Sequence, residues 1–166
     1  MSDDAGSLAA EVLGRLVDRE GTLSTAESLT GGGLAAALTD VPGASRSFVG
    51  GVVSYATSVK TDLLGVSEDL VSEHGVVSAE CAIAMAEGAR RQLGSTYALS
   101  TTGVAGPAAQ EGHPPGTVFV GVAGPETSSA VALNLSGDRA EIREATCLAA
   151  LRALQGVLSQ EEPGLG

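Results

Sequence analysis

Apolar and polar positions along this chain follow two periods, and the period switches several times. Between residues 7 and 19, Leu8, Ala9, Val12, Leu13, Leu16 and Val17 recur at the spacing that lays one apolar stripe along a helix. Residues 22–26 read as a short strand. A helix then runs from Thr30, whose hydroxyl suits an N-cap, through GGGLAAALTD to a stop ahead of Pro42. FVGGVVSY at 48–55 reads as a strand with Val53 and Tyr55 on one face. TSVKTDLLGV and SEDLVSEHG are two helical pieces, the second ended by Gly75. Ser78 suits the cap of a helix over 79–93, with Ala79, Ala82, Ile83, Ala86 and Leu93 on one side. Residues 96–102 return to strand, and GVAGPAAQEGHPPG at 103–116, dense in Gly and Pro, is loop. TVFVGVA and AVALNL are strands that pair as a hairpin across GPETSS. The last helix starts near Gly137 and runs to about 158. Its apolar positions form two faces, Ile142, Ala149, Ala153 and Val157 against Leu148, Leu151, Leu154 and Leu158. One face is expected to meet the sheet and the other a partner subunit, and the tail EEPGLG is expected to fray.

Strands that alternate with helices, followed by a hairpin, predict one three-layer α/β/α domain over 1–166 with a mixed, mostly parallel sheet. Its core is expected over about 7–158. Composition sharpens this picture: 43% of the 166 residues are hydrophobic and only 2% aromatic, so helices can lie close on the sheet over a small-residue core.

Charge narrows the partners. The net charge is −11, and the nine Lys and Arg form no cluster, which argues against nucleic acid. An anionic small molecule would have to be held by local devices, such as a glycine-rich loop or one or two Arg. Cys81 and Cys147 lack any CxxC spacing and read as reduced packing thiols of a cytoplasmic protein. His74 and His113 stand alone, at no metal-ligand spacing, so no zinc or other metal is expected. MSDDAGS has neither the basic nor the apolar region of a signal peptide, and no apolar run reaches the length of a membrane span. Cytoplasm and no membrane partner follow as the expectation.

Three segments are expected to end at the carboxyl edge of the sheet, where open α/β sheets place ligands: AESLTGGG, VVSYATSVK and STTGVAGP. They bring Ser28, Tyr55 and Lys60 towards one place. A serine needs a base to become a nucleophile, and both histidines lie elsewhere. Lysine serves when burial lowers its pKa, and Ser–Lys pairs are an established variant of the triad logic. Amides at the start of the 30–38 helix are candidates for an oxyanion hole. Taken singly, each residue has a plainer reading: Ser28 as a cap, Lys60 as a solvated amine, Tyr55 as a core ring. The triple glycine matches neither phosphate-binding fingerprint. Spacing alone reaches an α/β domain with an edge pocket, compatible with a hydrolase.

Several motifs in order carry the reading further. TAESLTGG, PGASRSFVGGVVSYATSVKTDLLGV, HGVVSAECAIAMAEGAR, TTGVAGP, PGTVFVGVA and SGDRAEIREAT resemble the CinA C-terminal domain family over roughly residues 7–158. The resemblance implies a stand-alone nicotinamide mononucleotide deamidase that releases ammonia and nicotinate mononucleotide in pyridine-nucleotide recycling, by a Ser–Lys amidase mechanism. It implies Ser28 as nucleophile, Lys60 as base, and Tyr55 orienting Lys60 or holding substrate. For substrate binding it implies Thr30, Gly31, Gly32, Thr102 and Gly103, with Arg139 or Arg143 at the phosphate. Two departures matter. Many relatives carry a glycine run and a Lys-Pro after the GP of this loop, whereas this chain reads AAQEGHPP. Many are also fused to an N-terminal domain resembling molybdopterin-binding proteins, whose activities do not transfer to this chain. The rival reading is a non-catalytic nucleotide- or partner-binding module of the same fold, and a homodimer or higher homo-oligomer is expected in either case.

Overall fold

A computed structural model describes residues 3–161. The helices are α1 (Asp3–Asp18), α2 (Gly33–Thr39), α3 (Thr57–Asp62), α4 (Glu68–His74), α5 (Ala79–Leu93) and α6 (Arg139–Gln160). The strands are β1 (Leu23–Glu27), β2 (Phe48–Val53), β3 (Tyr97–Gly103), β4 (Thr117–Ala123) and β5 (Ser128–Asn134). They form one sheet in the order β2-β1-β3-β4-β5. β1 runs parallel to both β2 and β3, β4 is antiparallel to β3, and β5 is antiparallel to β4. Four of the five strands therefore point the same way, and the expected mixed, mostly parallel sheet is what forms.

The pleat explains why two separate cores arise. On β3, Leu99 faces one side and Ala98 the other. Leu23, Leu99, Val118, Val120 and Val122 pack beneath α1, α2 and α6, and Ala26, Ala98 and Ala123 pack beneath α5. β1 is buried at all five positions, as a strand flanked by two neighbours and covered on both faces must be. The α5 layer lies so close that a Cβ on Gly88 would stand 2.0 Å from the Leu64 carbonyl oxygen.

Several boundaries differ from the sequence expectation for identifiable reasons. β2 ends at Val53, because Ser54 turns both its amide and its hydroxyl onto the Glu27 carbonyl, at 2.7 and 3.2 Å. Val53 and Tyr55 are both exposed on the outer edge of the sheet. α6 starts at Arg139 behind a capping box, in which Asp138 accepts from the Glu141 amide and the Glu141 side chain accepts from the Asp138 amide. Both apolar faces of α6 meet the chain's own core: Leu151, Leu154 and Leu158 are buried in it, Leu148, Ala153 and Val157 pack partly buried at its margin, and α1 lies along the helix with Glu11 bonded to Gln155 and Arg15 to Ser159. Glu161, the first tail residue, is tied down by the Tyr97 hydroxyl; 162–166 lie outside the described residues.

Gly88 sets two effects against each other. Alanine in a helix interior gains about 1 kcal/mol over glycine, but here its methyl would overlap the Leu64 carbonyl. Gly88→Ala is expected to lower unfolding stability in urea by about 2 kcal/mol, since overpacking against backbone exceeds the propensity gain. A variant as stable as the parent would show that α5 can move away from the 63–66 segment.

Candidate active site

The site begins where β1 ends. The Ser28 amide donates to the Thr101 carbonyl at 2.9 Å, which extends the β1–β3 pairing one residue beyond the strand. Ser28 is thereby held at the carboxyl edge, and the chain then turns through Gly31 and Gly32 at φ of 57° and 101° into α2.

That turn is organised by a residue the sequence reading passed over. Glu27 is 1% exposed. Its Oε1 accepts from the Thr30 hydroxyl at 2.6 Å and from the amides of Gly32 at 3.2 Å and Leu34 at 2.8 Å, and its Oε2 accepts from the Ala35 amide at 3.0 Å. Thr30 is therefore not the N-cap. Its hydroxyl serves Glu27 and accepts from Thr101 Oγ1 at 2.8 Å. The amides of Gly32, Leu34 and Ala35 are thereby held by a carboxylate and are not free to form the oxyanion hole expected at the start of this helix. A buried carboxylate needs this compensation, and a helix N-terminus supplies it. The signal lay in the sequence, as an acidic residue three positions before Thr30 and seven before the first apolar position of the helix, but its spacing fits no standard cap.

Lys60 enters from α3, and it is the sole lysine of the chain. It is 1% exposed, so the solvated reading fails. Its Nζ lies 2.9 Å from Ser28 Oγ, 2.6 Å from the Ser54 carbonyl oxygen and 3.2 Å from the Tyr55 carbonyl oxygen. Two carbonyls take two N–H donors. In the neutral amine the remaining position towards Ser28 is the lone pair, placed to receive the hydroxyl proton. Burial moves the Lys60 pKa below its ordinary value, against the opposing pull of Cys81 and Glu111. Cys81 in turn is pushed up to about 11, chiefly by its own burial. Tyr55 contributes to the lysine through its backbone carbonyl, while its ring is 60% exposed and is no core ring.

Ser28 and Lys60 open into a cavity of about 350 Å³ that Tyr55, Thr102, Gly103 and Arg139 also line. Thr102 Oγ1 donates to the Val76 carbonyl at 2.7 Å and keeps only acceptor capacity. Arg139, in the first turn of α6, donates to the Gly106 carbonyl at 2.6 Å and to the Tyr55 hydroxyl at 3.1 Å. Val76, Val77 and Val104 make an apolar wall, and Ala108, Ala109 and Gln110 of the loop after β3 add to the lining. The remaining candidates lie behind this cavity. Arg143 donates to the carbonyls of Leu29 and Thr30 at 2.9 and 3.0 Å, so it braces the turn. Thr30, Gly31 and Gly32 belong to the same brace and do not line the cavity. The Leu29 amide, next to Ser28, has no acceptor among the described residues. No cluster of His, Cys, Asp or Glu suited to a metal ion occurs among the described residues, and none of their helices is long and apolar enough to cross a membrane.

A mixed α/β domain with a buried serine–lysine pair at the carboxyl edge of its parallel strands is the class that fold and site define. The chain belongs to the CinA C-terminal domain family, whose model matches residues 5–158. A CinA-like protein of Frankia casuarinae is 52% identical over 92% of the chain, and a putative competence-damage inducible protein of Desulforamulus reducens is 47% identical over 86%. In each case the match covers 35% of the relative, so the chain spans about a third of the length of the curated relatives it matches. Among solved structures, a CinA superfamily protein from Klebsiella pneumoniae superposes with a TM-score of 0.91 at 30% identity, covering 94% of this chain and 98% of the other. The competence/damage inducible protein CihA from Agrobacterium tumefaciens gives 0.91 at 32% identity, covering 96% and 98%.

Glu27 carries a prediction for stability. Glu27→Ala leaves the amides of Gly32, Leu34 and Ala35 without their acceptor and takes one partner from the Thr30 hydroxyl, and is expected to cost about 3 kcal/mol, with Glu27→Gln intermediate. Urea denaturation checks this, and a loss below about 1 kcal/mol would mean that water takes over the cap.

Proposed function

We propose that this chain hydrolyses the carboxamide of nicotinamide mononucleotide to nicotinate mononucleotide and ammonia, with Ser28 as nucleophile and Lys60 as base. The observation that carries the reading is the 2.9 Å contact between Lys60 Nζ and Ser28 Oγ, in which two backbone carbonyls already hold the other donors of a desolvated amine.

The chemistry follows from that arrangement. Ser28 Oγ attacks the amide carbon while its proton passes to Lys60 Nζ. The ammonium that forms is held by the Ser54 and Tyr55 carbonyls, so the charge is created where acceptors already stand. The substrate oxygen becomes an oxyanion beside the free Leu29 amide. Lys60 then returns its proton to the leaving nitrogen, ammonia departs, and an ester to Ser28 remains. Water attacks that ester with Lys60 again as base, which frees the carboxylate product and restores the serine. No metal or organic cofactor enters any step. Arg139, at the rim and paired with the Tyr55 hydroxyl, is the cation for the phosphate, and the valine wall receives the pyridine ring. Arg143 is not given that role, because it does not line the cavity and braces the Leu29–Thr30 turn from behind.

Ammonia release from nicotinamide mononucleotide tests the reading directly. A base must be deprotonated, so kcat/KM is expected to rise with pH through an apparent pKa below 10.5, the direction in which burial moves Lys60. Lys60→Ala is expected to lower kcat by about 10³-fold or more, the scale of lost general-base catalysis. Lys60→Arg should be as inactive, because a guanidinium does not deprotonate in this range. Ser28→Ala should bind the nucleotide and release no ammonia. An active Lys60→Arg variant would assign the proton to another group, and binding without turnover by the parent protein would support the non-catalytic reading. Arg139→Ala is expected to raise KM about tenfold with a smaller loss of kcat, as for a contact made alike in ground and transition states. An unchanged KM would move the phosphate elsewhere.

A further inference from the structure

Glu111 lies in the loop between β3 and β4, the segment in which this chain departs from the pattern of many relatives, and the mechanism above does not use it. Its carboxylate accepts from two successive backbone amides of the α4–α5 junction, Val76 N to Oε2 at 3.0 Å and Val77 N to Oε1 at 2.8 Å. The Val76 peptide is gripped from both sides, since its carbonyl accepts from Thr102 Oγ1. Val76 and Val77 line the cavity, and so does Gln110, the neighbour of Glu111. Gln110 and His113 close a small hairpin around Glu111, with reciprocal backbone bonds of 3.1 and 2.9 Å. Glu111 itself sits at φ 52°, a left-handed conformation that a non-glycine residue keeps only when its surroundings over-determine it. Gly75 at φ 76° completes the fit, because a Cβ there would stand 2.7 Å from Glu111 Oε1.

We propose that Glu111 is a positioning residue: its carboxylate clasps the 104–116 loop onto the α4–α5 junction and so fixes the cavity wall that holds the substrate ring over Ser28. The inference rests on the amidohydrolase reading for its substrate and on geometry alone for the clasp. A carboxylate bonded to two amides can be replaced by water on an exposed loop, but not with the same reach, so losing it loosens both walls at once. The clasp has a second consequence. Glu111 favours the charged form of Lys60, as Cys81 on α5 does. The other titratable neighbours of the clasp are His113 within the hairpin and His74 at the end of α4, which faces Glu73 and Glu80.

Two variants separate position from charge. Glu111→Gln keeps the size and removes the charge and one acceptor; Gly75→Ala keeps the charge and pushes the carboxylate away. Both are expected to raise KM for nicotinamide mononucleotide about fivefold or more, with kcat changed less than about threefold. Only Glu111→Gln should move the Lys60 titration to lower pH. That titration is read by NMR on the Nζ of the single lysine and on the acid limb of kcat. In the same protein, amide exchange at Val76 and Val77 should quicken in both variants. Unchanged KM in both, or unchanged exchange at Val76 and Val77, overturns the proposal. The NMR titration and the exchange need no turnover. If the parent protein releases no ammonia, the amidohydrolase reading falls, while the exchange data still decide whether Glu111 holds the wall.

Discussion

The Glu27 carboxylate, sealed from water at the end of β1, is the constraint on which the site is built. A buried negative charge is tolerable only if donors surround it, and the first turn of α2 exists in the form that provides them. The same residue acts through its backbone. Its carbonyl takes the amide and the hydroxyl of Ser54, and the Ser54 carbonyl takes the amine of Lys60. One residue therefore links the β1 end, the β2 end and α3, and Ser28 is its chain neighbour. The positions of Ser28 and Lys60 follow from satisfying polar groups, before any catalytic demand is considered.

The lysine shows how burial and hydrogen bonding compete. Backbone carbonyls at 2.6 and 3.2 Å favour an ammonium, and so do Cys81 and Glu111. Desolvation opposes them and is the larger effect. Burial thus lowers the pKa from its ordinary value while acceptors for an ammonium stay in place, the combination that the proposed role of Lys60 as base calls for. A net charge of −11 spread over the surface does little to alter this, because exposed charges are screened by salt within about 10 Å.

The two arginines of the GDRAEIREA segment show how one helix serves two purposes. Four residues apart on α6, they lie on neighbouring turns. Arg139 reaches the cavity rim through Tyr55 and Gly106, and Arg143 reaches the back of the Leu29–Thr30 turn. A helix of 22 residues that is buried along one side thus carries an arginine of the pocket at one end and a brace for the turn after Ser28 one turn later.

The residues themselves determined much of this protein. The apolar periods settle most of the elements and the sheet class, and helical spacing marks α1, α5 and α6; β1 and β3 are buried on both faces yet carry Ser24, Thr25, Glu27, Ser100, Thr101 and Thr102. The motif residues Ser28, Tyr55, Lys60, Thr102, Gly103 and Arg139 do meet in one cavity, since each lies at a strand end or the start of a helix that the parallel strands aim at the same edge. What only the tertiary structure decided is which groups are already spoken for. Thr30, Gly31, Gly32 and Arg143 carry the same chemical groups as true pocket residues, yet their donors are consumed by Glu27 and by the turn it organises. The second face of α6 reads as apolar whether it meets a partner or α1. Glu27 and Glu111 look like ordinary surface acids, because their roles depend on amides that come from other segments. A hydrogen bond between distant residues leaves no period along the chain, so the saturation of donors and acceptors becomes visible only when the segments are brought together.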